Sequence, residues 1–311
     1  MKTTEMRGLK LSPMTLGTAQ FGLHYGMANH HGKPGTEEAG RMMAAAAAAG
    51  VNCLDTARAY GNSEEVIGAH LAKHPDMLIV SKFKINRAPG LDAHSVREQI
   101  EESVGATLKA LNKPKIELLL LHDADDLIDL GDKITPVLRD LRERGLIGRA
   151  GVSVYEARQI DAMLEDEFYE AVQLPLNVLD QRLIQSGRLG LLKQAGRIVF
   201  VRSVFLQGLL LMETPPEELT VAAPFLAALQ MLAAAHDLSM AKLALSFVRD
   251  LDGVSSLVIG AETTEQIREN AVLFETPPLP AEVVGQLRDL AYKVPIEQIM
   301  KEIIIMGGRA K

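Results

Sequence analysis

Tryptophan is missing from the 311 residues, and tyrosine and phenylalanine number only five and eight. Any pocket this chain forms is therefore lightly lined with aromatic rings. A single cysteine, Cys53, excludes an internal disulfide, and its place in an apolar run makes it a buried, inert thiol. No run approaches ~18 consecutive apolar residues, and the first residues hold no apolar signal core. The cytoplasm is the expected compartment. Basic clusters are missing too, and the net charge is −7, so neither a nucleic-acid nor a membrane partner is expected. Neither Gly-x-Gly-x-x-Gly behind a strand nor Gly-x-x-x-x-Gly-Lys-Ser/Thr occurs, which counts against an open, doubly wound sheet.

What is present is a regular alternation. A small hairpin near Leu9 leads to a buried strand ending at Gly17-Thr18, and Gln20 to Gly35 reads as a loop. Thr36 to Ala49 reads as a helix, with Thr36 as N-cap and Gly50 as its stop. Strand 51–54, helix 62–73 with an Asn62/Glu65 capping box, strand 77–80 and helix 95–111 follow. Next come strand 116–121, helix 134–144, strand 150–152, helix 155–164 and strand 171–174. The remainder holds helix 189–194, strand 198–201, helices 224–235 and 240–249, strand 255–259, and helices 264–274 and 281–292.

Strands alternating with helices of ~10–15 residues imply parallel βαβ units. Eight of them imply an α/β fold closed into a (β/α)8 TIM barrel. No composition shift marks a linker, so residues 1–311 read as one domain with a hairpin, extra helices and an apolar tail over 296–311. That tail packs on the barrel or meets a second copy, so monomer and homodimer both stay open.

Polar residues follow the apolar runs at three successive strand ends. The second strand delivers Asp55 and, through its loop, Tyr60; the third delivers Lys82 and the fourth His122. In a barrel these ends face one pocket. The set suits proton donation to a carbonyl oxygen as hydride reaches the carbon. A phenol with a pKa near ~10 is a weak acid at neutral pH, and a Lys ammonium beside it lowers that value. Asp55 would hold Lys82 charged, and His122, neutral or positive, would orient the carbonyl. None of these side chains supplies hydride, so a nicotinamide cofactor is implied.

Asp55-Thr56-Ala57-Arg58-Ala59-Tyr60-Gly61, Ser81-Lys82, Leu120-Leu121-His122-Asp123, Gly151-Val152-Ser153 and the stretch from Gly260 to Asn270 resemble the aldo-keto reductase superfamily. The resemblance spans about residues 8 to 275. Gly17 to Gly22, Tyr25-Gly26 and the run from His122 to Leu127 resemble its bacterial sugar or polysaccharide-associated branch. It implies NAD(P)(H)-dependent reduction of an aldehyde or ketone, or the reverse, with Tyr60 as acid/base, Lys82 and Asp55 tuning it, and His122 orienting the carbonyl. Asp55, Gly17 and Thr18 would lie near the nicotinamide, and Ser153 and Gln173 would bind its carboxamide. Val154 stands where the family usually has Asn, and Arg202 where an aromatic ring often stacks; a guanidinium plane also stacks. Ser203, Phe205 and Gly208 would begin the loop over the pyrophosphate.

At the adenosine end lie Gly260, Glu262, Gln266 and Asn270, and two of these positions, Glu262 and Gln266, are often basic in the family. A carboxylate there repels a 2′-phosphate, while the superfamily as a whole favours NADP(H). NADP(H) is slightly favoured, with NAD(H) open. Loop residues Phe21, Tyr25, Asp123, Asp125 and Phe205 suit a small-molecule carbonyl or sugar substrate. A non-catalytic nicotinamide-binding regulatory subunit and a Lys82 Schiff-base aldolase are the competing readings. His70 and His74, four apart, read as exposed helix residues rather than metal ligands. His30-His31 sits at the expected pocket mouth, and Arg58 either pairs with Asp55 or faces solvent.

Overall fold

The computed structural model describes residues 1–29 and 31–309. Strands β1 (Thr4–Met6) and β2 (Leu9–Leu11) pair antiparallel as a separate ribbon. Eight further strands close a parallel barrel: β3 (Met14–Gly17), β4 (Cys53–Asp55), β5 (Leu78–Phe83), β6 (Ile116–Leu121), β7 (Ile147–Ser153), β8 (Tyr169–Pro175), β9 (Ile198–Arg202) and β10 (Ser256–Gly260). They run in chain order, and β10 pairs with β3 to close the ring.

The barrel strands are surrounded by α1 (Ala19–Gly22), α2 (Thr36–Ala48), α3 (Ser63–Leu71), α4 (Ala93–Leu111), α5 (Asp125–Glu143) and α6 (Ala157–Leu164). Helices α7 (Arg182–Gln185), α8 (Arg188–Gln194), α9 (Ala223–Ala235), α10 (Met240–Arg249), α11 (Thr264–Leu273), α12 (Ala281–Ala291) and α13 (Ile296–Arg309) complete the chain. Among the described residues no single helix is long and apolar enough to cross a membrane.

Side chains alternate across a strand, so every second residue faces the barrel axis. Cys53, Val80, Leu118, Leu120, Ala171, Ile198 and Phe200 pack there as one apolar cluster, joined by Leu11 of the ribbon. Arg7 donates to the carbonyls of Ala195 and Gly196, which ties the ribbon across the strands' N-terminal end. Two residues beyond this cluster, on the same face, come Asp55, Lys82, His122, Gln173 and Arg202. The polar layer is thus a consequence of strand parity. A larger apolar cluster on the outer faces holds the helices on, including Leu54, Ile79, Leu119 and Val172.

Several sequence expectations shift. Gly35, not Thr36, is the N-cap of α2. Asn62 makes no side-chain cap bond, because its carbonyl oxygen accepts from the Lys33 ammonium; the capping box lies instead at Glu156/Gln159. Helix α5 starts at Asp125 rather than near Ile134, its two first-turn aspartates matching the dipole despite Gly131 and Pro136. Strand β7 starts three residues early, its polar Arg149 having hidden it. In the tail, Ile296, Ile299 and Ile303 are buried at helical spacing, and α13 packs by the turn Glu217–Leu219.

Candidate active site

The polar layer centres on a buried cation. Lys82 Nζ donates to both carboxylate oxygens of Asp55 at 2.8 Å, to the Thr56 carbonyl at 2.9 Å and to Tyr60 Oη at 3.4 Å. All three protons of the ammonium are therefore spoken for. Gln173 Nε2 donates to Asp55 Oδ1 at 2.7 Å, which adds a partner from the far side of the barrel. The His122 ring stands edge-on to Tyr60, with centroids 5.8 Å apart. Four residues named from three separate strand ends thus meet at one point.

Tyr60 is not on a strand, so its loop must be fixed by other means. The Arg58 N–H donates to the Lys82 carbonyl at 3.2 Å, and Ser63 N–H donates to the Tyr60 carbonyl at 3.0 Å. Gly22 abuts that same carbonyl: a Cβ there would come within 1.6 Å of it. Gly61, at φ +56°, turns the chain in the left-handed region that glycine tolerates. Beneath the loop, Glu64 is 1% exposed and accepts from Arg58 at 2.6 Å, Ser81 at 2.6 Å and Thr107 at 3.0 Å. Arg58 therefore neither pairs with Asp55 nor stands free. Glu64 joins the Tyr60 loop to β5 beside Lys82, a role that no sequence pattern signalled.

Burial and charge compete over the proton affinities. Burial pushes the Tyr60 phenol above its ordinary value, and Lys82, the largest opposing influence, does not reverse it. The expected lowering by lysine is present but loses to desolvation. For Lys82, burial alone would pull the ammonium down, yet Asp55 and then Tyr60 hold it above the ordinary value. His122 falls to about 3, first through burial and then through Lys82, Lys84 and Arg202. It is neutral at physiological pH, and its Nδ1 is buried without a hydrogen-bond partner.

That depression makes a stability prediction. The unfolded His122, near pKa ~6.5, binds a proton that the folded one refuses until about pH 3. Its contribution is whole above the unfolded value and is lost as pH falls toward the folded one. Between pH 7 and 5 the wild type should lose about 2 kcal/mol more than His122→Asn, read by urea denaturation.

A cleft of about 590 Å³ opens above the layer. Every residue named for cofactor contact except Ser153 lines it, from Gly17 and Thr18 through Arg202 to Gly208, and on to Gly260 and Asn270. Over it, the Met27 N–H donates to the Gln207 carbonyl at 3.0 Å, bridging the loops after β3 and β9. Ser203, Leu206 and Gln207 all adopt positive φ there, 62°, 49° and 56°. Such strain in non-glycine residues concentrates at functional loops.

The comparisons bear on the whole barrel. A profile for the Aldo/keto reductase family matches residues 13–291. The chain belongs to the aldo/keto reductase family. Its class is that of the carbonyl-reducing, NAD(P)H-dependent oxidoreductases. The chain is 29% identical over 301 residues to an uncharacterized oxidoreductase of Mycobacterium bovis, covering 87% of each. It is 26% identical over 254 residues to the NADH-specific methylglyoxal reductase of Escherichia coli, covering 71% of this chain and 78% of that one. Similarity to aldo-keto reductase YhdN of Bacillus subtilis is 28% over 143 residues, and the match spans only 43% of that protein. Aldo-keto reductase AKR11C1 from Bacillus halodurans superposes with a TM-score of 0.79 at 24% identity, over 94% of this chain and 96% of that one. At that identity the likeness shows the fold.

In this aldo/keto reductase one residue named for cofactor contact lies off the cleft wall, and others have partners that the sequence did not signal. Ser153 is buried, 2% exposed, and does not reach the cleft wall. Its neighbour Val154 is fully buried and spends its N–H on the Gln173 carbonyl at 2.8 Å. Gln266 lines the wall, but its Oε1 accepts from the Glu262 N–H at 2.7 Å, so that side chain braces its own loop. Arg202 lines the wall with its guanidinium 4.1 Å over the Tyr155 ring, a partner that the sequence did not suggest. Gln20 and Glu269, also on the wall, lie inside the stretches that carry the family resemblance but were assigned no role there. His70 is buried, not exposed as expected, and no cluster of three metal-binding side chains occurs among the described residues. Cys53 is buried, and burial raises its thiol to about 12, as expected of an inert cysteine. His31 is exposed; His30 lies outside the described residues.

Proposed function

We propose that the chain reduces a small aldehyde or ketone to an alcohol, and runs the reverse, with Tyr60 as acid and base. One observation carries this reading: a fully buried ammonium held between Asp55 and the Tyr60 hydroxyl. A bound nicotinamide cofactor supplies the hydride. Tyr60 Oη gives its proton to the carbonyl oxygen, and Lys82 stabilises the phenolate that remains. Asp55 keeps Lys82 protonated throughout, and Gln173 keeps Asp55 in place. Neutral His122 donates a ring N–H to the same oxygen and fixes its direction. With a pKa of about 3 it is not itself a proton source at neutral pH, so delivery falls to Tyr60.

The wall fits a nicotinamide dinucleotide in size, since small-molecule sites run to about 300–1,000 Å³. Gly17, Thr18 and Gln173 would hold the nicotinamide end, and Ser203, Phe205 and Gly208 the pyrophosphate. At the end that the family resemblance gives to the adenosine ribose, Glu262 and Glu269 line the wall, and among the described residues no lysine or arginine lines it there, Arg268 not being part of it. Two carboxylates disfavour a 2′-phosphate and suit a 2′-hydroxyl. The sequence leaned slightly to NADP(H); the charge at this end supports NADH. The expected outcome is a KM for NADPH at least tenfold above that for NADH, from about 1.4 kcal/mol of repulsion. A KM for NADPH below that for NADH would refute the assignment.

Turnover of a panel of aldehydes, ketones and aldoses with each cofactor tests the reaction class. Cofactor binding without turnover on any of them would support the regulatory-subunit reading instead.

A further inference from the structure

We propose that the carbonyl substrate carries an acidic group, a carboxylate or a phosphate, and that Arg202 binds it. The proposal rests on the carbonyl-reductase reading above and names the substrate class of that same site.

Arg202 ends β9 and is the only cation on the cleft wall among the described residues. It has no carboxylate within ion-pair distance among them. Its hydrogen bonds are long, 3.4 Å to Ser203 Oγ and 3.3 Å to the Val154 carbonyl. A guanidinium has five N–H donors in a fixed fork, so most remain unspent. Tyr155 supports the guanidinium from the side at 4.1 Å. An arginine held over a ring, with spare donors on the cleft wall, is built to take a planar or tetrahedral oxyanion.

A second cation adds to the field. Lys84 follows Lys82 by two residues, just past the end of β5, and is exposed and without an ion-pair partner among the described residues. It borders His122, whose N–H donates to the intervening Phe83 carbonyl at 2.9 Å. The charges of both cations help to hold the His122 ring neutral.

Of the two acidic residues that suited a sugar, Asp125 is held in an ion pair and Asp123 is exposed. Asp125 accepts from Gln159 at 2.9 Å and pairs with Arg158 at 2.9 Å. Asp123 Oδ1 accepts the Asp125 N–H at 3.1 Å, turned onto its own helix start. On the cleft wall, Arg202 therefore keeps a positive charge that no carboxylate pairs among the described residues. Asp55, Glu262 and Glu269 also line the cleft, so the attraction for an anion is local to the Arg202 fork rather than spread over the wall.

Two matched pairs of aldehydes test this: 4-oxobutanoate against its methyl ester, and glyceraldehyde 3-phosphate against glyceraldehyde. With the better cofactor, kcat/KM for the acid member of at least one pair should exceed its neutral partner at least tenfold. That ratio should shrink as NaCl rises. In Arg202→Met the ratio should collapse toward one; the ratio cancels any general loss of activity. Lys84→Met, on an exposed side chain, should lower the ratio partway and serves if Arg202→Met does not fold. Equal turnover of acid and neutral members by the wild type overturns the proposal but leaves the reductase reading intact. Turnover of none of the four, or of any carbonyl in the panel, overturns that underlying reading. The cofactor Kd, followed by NADH fluorescence, guards the assignment: an unchanged acid preference with a weakened Kd in Arg202→Met would place Arg202 on the cofactor and refute it.

Discussion

Tyr60→Phe is expected to cut kcat by roughly 10²–10⁴-fold while cofactor Kd stays close to the wild type. The ring is kept, so the edge-on packing against His122 survives. What is lost is one oxygen, the proposed proton donor and a partner of Lys82 at 3.4 Å. Because the loss falls on the transition state, kcat and kcat/KM should drop together. In the reductive direction the wild type should stay active through neutral pH, since burial holds the phenol above its ordinary value and keeps it protonated. Oxidation of the alcohol requires the phenolate and should rise with pH over the same range. Stopped-flow kinetics with each substrate, alongside NADH fluorescence titration, checks all three statements. Undiminished turnover by Tyr60→Phe would remove Tyr60 from the mechanism.

Lys82→Met should be damaging in two separable ways. The variant leaves the Asp55 carboxylate buried, 3% exposed, with Gln173 as its remaining side-chain partner. Removing one member of a buried ion pair costs roughly 3–5 kcal/mol, which chemical denaturation would read. The phenolate also loses its counter-charge, so kcat should fall by a further two orders of magnitude or so. Pairing Lys82→Met with Asp55→Asn restores a neutral, hydrogen-bonding layer. Stability should recover in the double variant while activity does not, because the phenolate still lacks a cation. Losses that simply add would deny that the two groups act as one unit.

These outcomes bear unequally on what was legible beforehand. The barrel was visible because each strand is a short apolar run, and parity then forces residues two beyond an inward-facing one to the same side. Asp55, Lys82 and His122 follow Cys53, Val80 and Leu120 by two, so their convergence was readable from spacing. Tyr60 was readable as a residue of the loop behind Asp55, but its position was not, because the contacts that hold it come from Gly22, Ser63 and the Lys82 carbonyl, distant in sequence or without pattern.

The sequence by itself determined the strand alternation, the polar layer and the residues proposed to move the proton. Tertiary structure decided the balances. Whether burial or Lys82 governs Tyr60 depends on how much water the fold removes, and water removal is a property of the packed whole. Whether Arg202 has a carboxylate partner, and whether Asp125 is spent on Arg158, depends on neighbours brought from other strands. Periodicity carries the direction in which a side chain points, since it is local. It carries nothing about which charge arrives opposite, since that is set by barrel closure.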